Sequence, residues 1–317
     1  MHAAVVTSFD QSPRYESFDD PVPGDGELLL EVVAAGLHPR VRSQAGGSHY
    51  TSTDELPLIP GIDGVGRTAD GELRYFLLDD TTRGSMAERV VVDARRTIPL
   101  PEGVDPLLMA AAMNPAMSSW VALRKRIEFT PGQSVLVLGA TGSAGALAVQ
   151  IAKHLGAGQV IAAGRDRARL DALASVADVT VSLSGSANEI SARLADVAAN
   201  VDVVIDYVWG PTTTDAMVAI VGTRADAAKP LTWIEIGSVG GPTAEIPSAA
   251  LRAARLQIVG SGQGSVPTRD FVTELAELAS ELGKGSFVIN ARAVPLADVE
   301  ATWSRHENGD ERVVMTP

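Results

Sequence analysis

Residues 134–156 read SVLVLGATGSAGALAVQIAKHLG, and this stretch decides the fold. The apolar run 135–138 has the length of a short buried strand, and a glycine-rich loop follows it. Beyond the loop, apolar residues recur four positions apart and predict a helix over residues 143–155. These residues are Leu147, Ile151 and Leu155. The stretch therefore predicts a strand, a tight glycine loop and a helix in direct succession.

The loop has nearly the spacing of a dinucleotide-binding loop. Read from Ala140, it is A-x-G-x-x-G, one substitution from the G-x-G-x-x-G fingerprint. In that fingerprint the glycines let the backbone approach a pyrophosphate and the helix pack on the strand, while the helix N-terminus supplies N–H donors. The alternative is a tight turn that serves packing only. The predicted cofactor-binding residues are Ala140, Thr141, Gly142, Ser143, Ala144 and Gly145.

The alternation of strand and helix continues after this stretch. Five further apolar runs of strand length follow, at residues 160–163, 179–183, 201–206, 231–236 and 256–260. Helical patterns separate them, at residues 167–174, 189–199, 213–221 and 248–255. Strands that alternate with helices in this way pair in parallel through right-handed crossovers. The sequence predicts a six-stranded, parallel, doubly wound (Rossmann) sheet in an α/β protein.

The remaining chain predicts a second domain. The first hundred residues carry short apolar runs between Gly, Pro and Asp, which indicates a β-rich unit. The tail after Gly264 exceeds what the six-stranded sheet needs, and we expect it to return to that unit. With 317 residues the chain has room for two domains. The predicted division is a catalytic domain of residues 1–113 and 265–317 and a cofactor-binding domain of residues 114–264.

Composition narrows the function classes. The formal net charge of −13 argues against nucleic acid or an anionic membrane surface as a partner. The chain contains no Cys, which excludes disulfides, cysteine nucleophiles and Cys-ligated zinc. No apolar run approaches the roughly 18 residues that a membrane span needs, and the N-terminus lacks a signal-peptide pattern. We expect a cytoplasmic protein.

The end of the second predicted Rossmann strand bears on the choice of cofactor. NAD-binding domains usually carry an acidic residue there, which binds the ribose 2′-hydroxyl. This chain has Gly164 and then Arg165, and a guanidinium suits a 2′-phosphate. We therefore predict NADPH, with Arg165 as the main contact and Arg169 as a weaker candidate. The alternative is a solvated basic start to the next helix, with Asp166 as its N-cap.

Several segments occur in an order that resembles the medium-chain dehydrogenase/reductase superfamily, and within it the zinc-free quinone oxidoreductase branch. They are AGLHP at 35–39, PGIDGVG at 60–66, GSMAE at 84–88, residues 111–123 and 135–145, and IGSVGG at 236–241. The resemblance covers essentially the whole chain. It implies a GroES-like β-rich catalytic domain beside the Rossmann domain.

The resemblance also bears on zinc. Alcohol dehydrogenases of this superfamily hold catalytic zinc with Cys, His and Cys, and the matching positions here are His38, Ile62 and Asn114. Isoleucine has no donor atom, and two ligands are fewer than a catalytic zinc takes. An unrelated site from His38, His49 and Asp63 follows no ligand spacing, and we expect Asp63 in a glycine-rich turn. We predict no metal.

Without zinc, the implied reaction is transfer of hydride from NADPH to a quinone or an α,β-unsaturated carbonyl. Tyr50, His38 and Asn114 are the candidate catalytic residues. Tyr50 is a phenol donor or a surface tyrosine, and His38 is a proton donor, a positioning group or a structural one. The resemblance implies that Asn114 and Ser118 hold the nicotinamide ring, and the alternative for both is helix packing. Arg42 could orient a carbonyl or be solvated. Further cofactor contacts implied by the resemblance are Ser118, Gly237, Ser238, Val239, Gly262 and Arg312.

Three further expectations concern assembly, Trp209 and competing functions. The last Rossmann strand, 256–260, would leave an open edge, which favours a homodimer through that strand. Trp209 is expected to be a lid or packing residue after the fourth strand. Beside the reductase, the sequence leaves open a catalytically silent NADP(H)-binding sensor or structural protein, and an alcohol or ketone dehydrogenase.

Overall fold

The computed structural model describes residues 1–49, 51–262, 264–305 and 311–317. Packing divides the chain into two compact units. Unit 1 consists of Met1–Asn114 and Val272–Pro317, and unit 2 of Pro115–Phe271. The functional assignment of residues 1–113 with 265–317 and of residues 114–264 to a catalytic and a cofactor-binding domain stays a prediction. In the described ranges no helix is both long and apolar enough to cross a bilayer.

The N-terminal part of unit 1 consists mainly of strands. They are β1 (His2–Val5), β2 (Arg14–Ser17), β3 (Glu27–Gly36), β4 (Asp63–Arg67), β5 (Leu73–Leu77), β6 (Arg89–Asp93) and β7 (Thr97–Pro99). A short helix, α1 (Pro39–Ala45), follows β3, and α2 (Pro106–Val121) runs across the boundary of the two units into a π-helical segment, Ala122–Arg126. The expectation of a glycine-rich turn at Asp63 is wrong, because this residue begins β4.

Unit 2 contains the alternating pattern. Its strands are β8 (Ser134–Leu138), β9 (Gln159–Gly164), β10 (Val179–Ser182), β11 (Val203–Asp206), β12 (Leu231–Glu235) and β13 (Leu256–Gly260). Its helices are α3 (Ser143–His154), α4 (Arg167–Leu173), α5 (Ala187–Ala198), α6 (Gly210–Thr223) and α7 (Ser248–Ala253). The described strands form one parallel sheet in the order β10-β9-β8-β11-β12-β13. The predicted Rossmann sheet is confirmed.

The C-terminal tail adds α8 (Thr268–Gly283), β14 (Ala291–Pro295), α9 (Val299–Trp303) and β15 (Arg312–Thr316). Strand β15 pairs antiparallel with β3 and parallel with β14, so the tail contributes to the sheet of unit 1. That sheet has the order β14-β15-β3-β4-β5-β7, with β6 also paired to β3. The described residues form an α/β protein with one parallel sheet, one mainly antiparallel sheet and a separate antiparallel pair of β1 and β2.

The apolar sequence of the parallel strands follows from burial on both faces. Val135, Leu136, Val137 and Leu138 of β8 are fully buried, as are Val204 and Ile205 of β11. Helices on both faces of a parallel sheet cover its strands, which are therefore apolar throughout rather than alternating. This is why β8 and β11, the two central strands, were easy to identify.

Arg224 joins the amino ends of two adjacent strands of unit 2, β11 and β12. Its guanidinium is 8% exposed and donates to the carbonyl oxygens of Ala199 and Val201, which precede β11, at 2.9 Å each. It also donates to Lys229 and Pro230, which precede β12, at 3.2 and 2.9 Å. One side chain thereby satisfies four carbonyls that no regular ladder serves.

Replacing Arg224 with methionine should lower the free energy of unfolding by about 2–3 kcal/mol, because buried carbonyls lose charged donors and keep their desolvation cost. Urea denaturation measures the change. Arg252→Met, on the exposed surface of α7, is the matched control and should cost less than about 0.5 kcal/mol. Equal effects of the two substitutions would contradict the structural role of Arg224.

Candidate cofactor site and a buried histidine network

The glycine loop lies at the carboxyl end of β8 and leads directly into α3. Gly142 is the N-cap of that helix, and Gly139 and Ala140 donate their N–H groups to the carbonyl of Ala163 in β9. At Gly145 a Cβ would lie 2.2 Å from the oxygen of Gly139, so the helix can approach the strand only with glycine here. The loop therefore has the close packing that the fingerprint requires. The first N–H groups of α3 follow it directly, which is where a dinucleotide-binding loop offers donors to a phosphate.

The end of β9 leaves no room for a side chain at the position where NAD-binding domains carry an acid. A Cβ on the buried Gly164 would lie 2.4 Å from the Thr141 methyl carbon. Thr141 is in turn held by Arg169, whose Nη1 donates to its carbonyl oxygen at 3.1 Å. The next residue, Arg165, is exposed, and Asp166 caps α4 by accepting from the N–H of Arg169. The helix cap that the sequence left as an alternative is present, and it leaves the Arg165 side chain exposed beside the loop.

Asp206 organises the end of β11. The residue is fully buried, and one carboxylate oxygen accepts from the N–H groups of Val208 and Trp209 at 2.8 and 3.0 Å. The other accepts from Thr213 Oγ1 at 2.6 Å and from Trp233 Nε1 at 2.9 Å. Both oxygens are thus satisfied by donors from the loop, α6 and β12. Burial and the nearby charge of Asp206 raise the pKa of Glu235, the residue paired with Asp206 across the sheet.

Three loops meet at this edge of the sheet. Tyr207, after β11, donates its N–H to Leu138 at the end of β8 at 3.1 Å. Gly237, after β12, donates to Asp206 at 3.2 Å, and Gly240 donates to Val208 at 2.6 Å. The edge is the crevice at which the strand order reverses between β8 and β11, the place where doubly wound sheets bind dinucleotides.

Tyr207 carries a phenol at this edge, and the sequence analysis assigned it no role. Its hydroxyl lies 2.7 Å from Ser118 Oγ, which donates to the carbonyl of Pro115 at 2.8 Å. Either of these two hydroxyl oxygens can be the donor. Burial raises the pKa of Tyr207 to about 12, against the opposing effect of its serine hydrogen bonds, so the phenol keeps its proton at neutral pH. Its place directly after Asp206 was the signal available in the sequence.

Unit 1 contains a separate buried polar network around His38. The residue is 1% exposed, and its Nε2 lies 3.0 Å from Asp63 Oδ1. The Tyr75 hydroxyl donates to Asp63 Oδ2 at 2.7 Å. The Arg312 guanidinium contacts His38 Nδ1. Because a guanidinium can only donate, Nδ1 is the acceptor and the ring proton belongs on Nε2, facing Asp63. Burial and the charge of Asp63 raise the pKa of Tyr75 well above its usual value.

The predicted site residues thus fall into two groups. In unit 2, the loop from Ala140 to Gly145, Gly164, Arg165, Gly237, Ser238, Val239 and Gly262 all lie at the carboxyl ends of the parallel strands, and Ser118 contacts Tyr207. In unit 1, His38 and Arg312 contact each other. Asn114 lies partly exposed in α2, and Arg42 stacks on the ring of Trp303 at 5.3 Å. Tyr50 lies outside the described residues. The functional roles of all these residues stay predictions.

The family described as zinc-binding dehydrogenase matches residues 144–281. A protein of Emericella nidulans named "Probable NADPH-dependent quinone reductase tdiC" is 30% identical over 360 residues, covering 100% of both chains. A protein of Arabidopsis thaliana named "NADPH-dependent alkenal/one oxidoreductase, chloroplastic" is 26% identical over 58% of this chain and 50% of its own.

Solved structures resemble the chain over its full length. The quinone oxidoreductase of Thermus thermophilus, solved also in complex with NADPH, has a TM-score of 0.77 at 25% identity, with both chains covered completely. A mycobacterial quinone oxidoreductase reaches a TM-score of 0.84 at 23% identity, again with complete coverage. At that lower identity the likeness concerns the fold.

The matching family is described as zinc-binding, which raises the question of whether the side chains around His38 suit a zinc ion. Catalytic zinc takes three protein ligands. Ile62 offers none, the chain has no Cys, and among the described residues no group of three His, Asp or Glu side chains could hold a metal. Both ring nitrogens of His38 face partners of its own unit, Arg312 and Asp63. The described residues do not fit a zinc ion.

Arg312→Met should lower the free energy of unfolding by about 3 kcal/mol, since it removes the cation from a buried network and leaves His38 Nδ1 and Asp63 behind. Thermal and urea denaturation measure it. Arg292→Met is the matched control on the neighbouring strand β14, where the exposed pair with Glu311 contributes less than about 0.5 kcal/mol. If Arg312→Met is as stable as wild type, the network is not structural. If that variant instead loses only affinity for NADPH, the predicted cofactor contact of Arg312 gains support.

Proposed function

The chain belongs to the medium-chain dehydrogenase/reductase superfamily, in its quinone oxidoreductase-like branch, and from this we propose an NADPH-dependent reductase of quinones or α,β-unsaturated carbonyls that works without zinc. As a member of this branch the protein is an oxidoreductase. The observation that carries the proposal is the convergence of the glycine loop and the loops after β11 and β12 at the crevice between β8 and β11.

The preference for NADPH is supported by the end of β9. Thr141 occupies the space beside Gly164 that a carboxylate would need, so the ribose meets no acidic side chain there. Arg165 is exposed beside this position and can bind a 2′-phosphate through two N–H donors. Two relatives are named NADPH-dependent, which agrees with this choice.

The proposed chemistry follows from the resemblance to zinc-free quinone oxidoreductases. Bound NADPH supplies a hydride from C4 of its nicotinamide, which a conjugated acceptor takes at the carbon far from its oxygen. The negative charge that arrives on the acceptor oxygen calls for hydrogen-bond donors in place of a metal. We assign this role to Tyr50. Asn114 would hold the nicotinamide ring through its side-chain amide. Ser118, which contacts Tyr207, and the N–H groups of Gly237 to Val239 would hold the nicotinamide half.

His38 takes the positioning role among those that the sequence left open. Both of its nitrogens face buried partners, and its ring proton faces Asp63 (3.0 Å). Because the ring is 1% exposed and both nitrogens face buried residues of its own unit, its proton is unsuited to transfer to a substrate. We therefore propose that His38 fixes the segment between β3 and α1.

The reductase should oxidise NADPH in the presence of quinones and enones, and ethylenediaminetetraacetate should leave the rate unchanged. Loss of absorbance at about 340 nm, the nicotinamide band, measures the reaction. Simple ketones are the control substrates and should give little turnover. Binding of NADPH with no turnover on any acceptor would favour the silent sensor, and ketone reduction lost on chelation would favour a zinc enzyme.

Arg165→Ala should raise the dissociation constant of NADPH about tenfold, which corresponds to the loss of one charged hydrogen-bonding partner, and leave that of NADH unchanged. Isothermal titration calorimetry measures both constants. Arg167→Ala is the control, because its exposed side chain already pairs with Asp171 on the same helix. An unchanged dissociation constant of NADPH in the Arg165 variant would mean that Arg169, rather than Arg165, contacts the 2′-phosphate.

A homodimer through β13 forms part of the proposal. Strand β13 pairs with β12 on one side and ends the described sheet on the other, and Gln257 is exposed along it. Light scattering should give about twice the chain mass of 33.0 kDa. Gln257→Glu, which places like charges near each other across a two-fold axis, should weaken the dimer severalfold, whereas Gln257→Asn should not. A monomer at all concentrations would contradict this assembly.

A further inference from the structure

Trp209 has a backbone conformation that favours glycine. It has φ 53° and ψ −170°. In the described part of the chain, every other residue with a positive φ is a glycine. This region is essentially restricted to glycine, because a Cβ there contacts the neighbouring peptide groups. The chain nevertheless carries its largest type of side chain at this point. A strained residue that persists indicates a site where the side chain is needed.

The surrounding structure holds the strain in place. The Asp206 carboxylate accepts the N–H of Trp209 at 3.0 Å, and this carboxylate is itself fixed by Thr213 and Trp233. On the other side, a Cβ on Gly240 would lie 2.8 Å from the Trp209 oxygen. The loops after β11 and β12 are therefore packed backbone to backbone around Trp209, and relaxation of its φ would displace both.

The Trp209 side chain is partly exposed rather than buried. One hydrophobic cluster of unit 2 includes the neighbouring Val208, which packs against its buried members. Among the described residues of that cluster Trp209 is absent, and the residue is partly exposed. The neighbouring Gly210 cannot carry a side chain, since its Cβ would lie 2.7 Å from the oxygen of Gly240. Trp209 is thus a partly exposed aromatic residue in the loop at the carboxyl edge of the sheet.

The position within the sheet identifies the part of the ligand. A doubly wound sheet consists of two mononucleotide-binding halves that meet at the reversal of strand order. The first half, β8 to β10, contains the glycine loop and Arg165, which we assigned to the pyrophosphate and the 2′-phosphate. The second half, β11 to β13, contains Trp209 and faces the other mononucleotide.

We propose that Trp209 is a specificity-determining residue whose indole contacts the nicotinamide half of the bound dinucleotide, and that its strained backbone is retained for this contact. The proposal rests on the proposed function, because it takes the first half of the sheet as the site of the 2′-phosphate. An indole face stacks well on planar heterocycles. The ring that it contacts is the nicotinamide or the ribose next to it.

Two ligands and two substitutions test the proposal. Calorimetry gives the dissociation constants of NADPH and of 2′,5′-ADP, which has the adenosine half alone. Trp209→Gly and Trp209→Ala should each raise the dissociation constant of NADPH at least about fivefold, which is the lower end of the effect expected for the loss of one aromatic stack. Both variants should bind 2′,5′-ADP like the wild type. Trp209→Phe, which keeps a planar ring, should retain most of the NADPH affinity.

Thermal unfolding separates a ligand contact from a structural role. Trp209→Gly removes the strained Cβ and should raise the unfolding midpoint above that of Trp209→Ala, which keeps it. A structural tryptophan would give the opposite pattern, with loss of stability in both variants and equal loss of both ligands. That pattern, or unchanged NADPH affinity in both variants, would overturn the proposal.

The outcomes also separate this inference from the proposed function. Wild-type protein that binds NADPH but oxidises it with no acceptor overturns the reductase and leaves the Trp209 comparison decisive. Wild-type protein that reduces acceptors while the Trp209 variants bind NADPH normally overturns the inference alone. If Arg165→Ala weakens the binding of neither ligand while Trp209→Gly weakens that of 2′,5′-ADP, the two halves of the dinucleotide are assigned the wrong way round. The assignment of the 2′-phosphate to Arg165 and the inference about Trp209 then both fail.

Discussion

The carboxylate of Asp206 is the constraint on which the ligand-binding edge depends. With two oxygens it accepts four hydrogen bonds, from two loop N–H groups, a threonine hydroxyl and an indole. Those donors belong to three separate elements, so one buried group joins the end of β11 to α6 and β12. Removing any donor would leave part of a buried charge unsatisfied, which costs more than an ordinary hydrogen bond returns. The shape of the loop from Tyr207 to Gly210 is therefore tied to the core rather than left to the solvent.

The fold of unit 2 was predictable because its signals are local. Each strand of the parallel sheet is an uninterrupted apolar run, and each helix shows its own periodicity, so the order of elements follows from the sequence. The helix limits were less predictable. Helix α6 begins at Gly210 rather than Thr213, directly after a turn in which the Asp206 carboxylate accepts the N–H groups of Val208 and Trp209. Helix α5 begins with a capping box of Ser186 and Glu189, two residues before its predicted start.

Unit 1 was predicted less completely, and the reason is physical. Strand β4 reads DGVGR, and its glycines suggested a turn. In the structure they let β4 lie close to β3: a Cβ on Gly66 would approach Leu30 Cβ to 2.9 Å. The network of His38, Asp63, Tyr75 and Arg312 joins residues up to 274 positions apart, and only the tertiary fold brings them together. The sequence identified His38 and Arg312 as important residues, whereas their contact with each other and the part played by Tyr75 could not be read from spacing.

The contact between Thr141 and Gly164 has a consequence for redesign of the coenzyme preference. The usual way to convert such a domain to NADH is to introduce a carboxylate at the end of the second strand. Here that position is closed from the opposite loop, because the threonine side chain already fills the volume that the first carbon of any new side chain would occupy. A single substitution would force the glycine loop and the strand apart and disturb the loop that we propose as the pyrophosphate site. Conversion therefore calls for a paired exchange, in which residue 141 becomes glycine or alanine when residue 164 becomes acidic. The two positions should consequently change together during divergence, as a coupled unit rather than as independent sites.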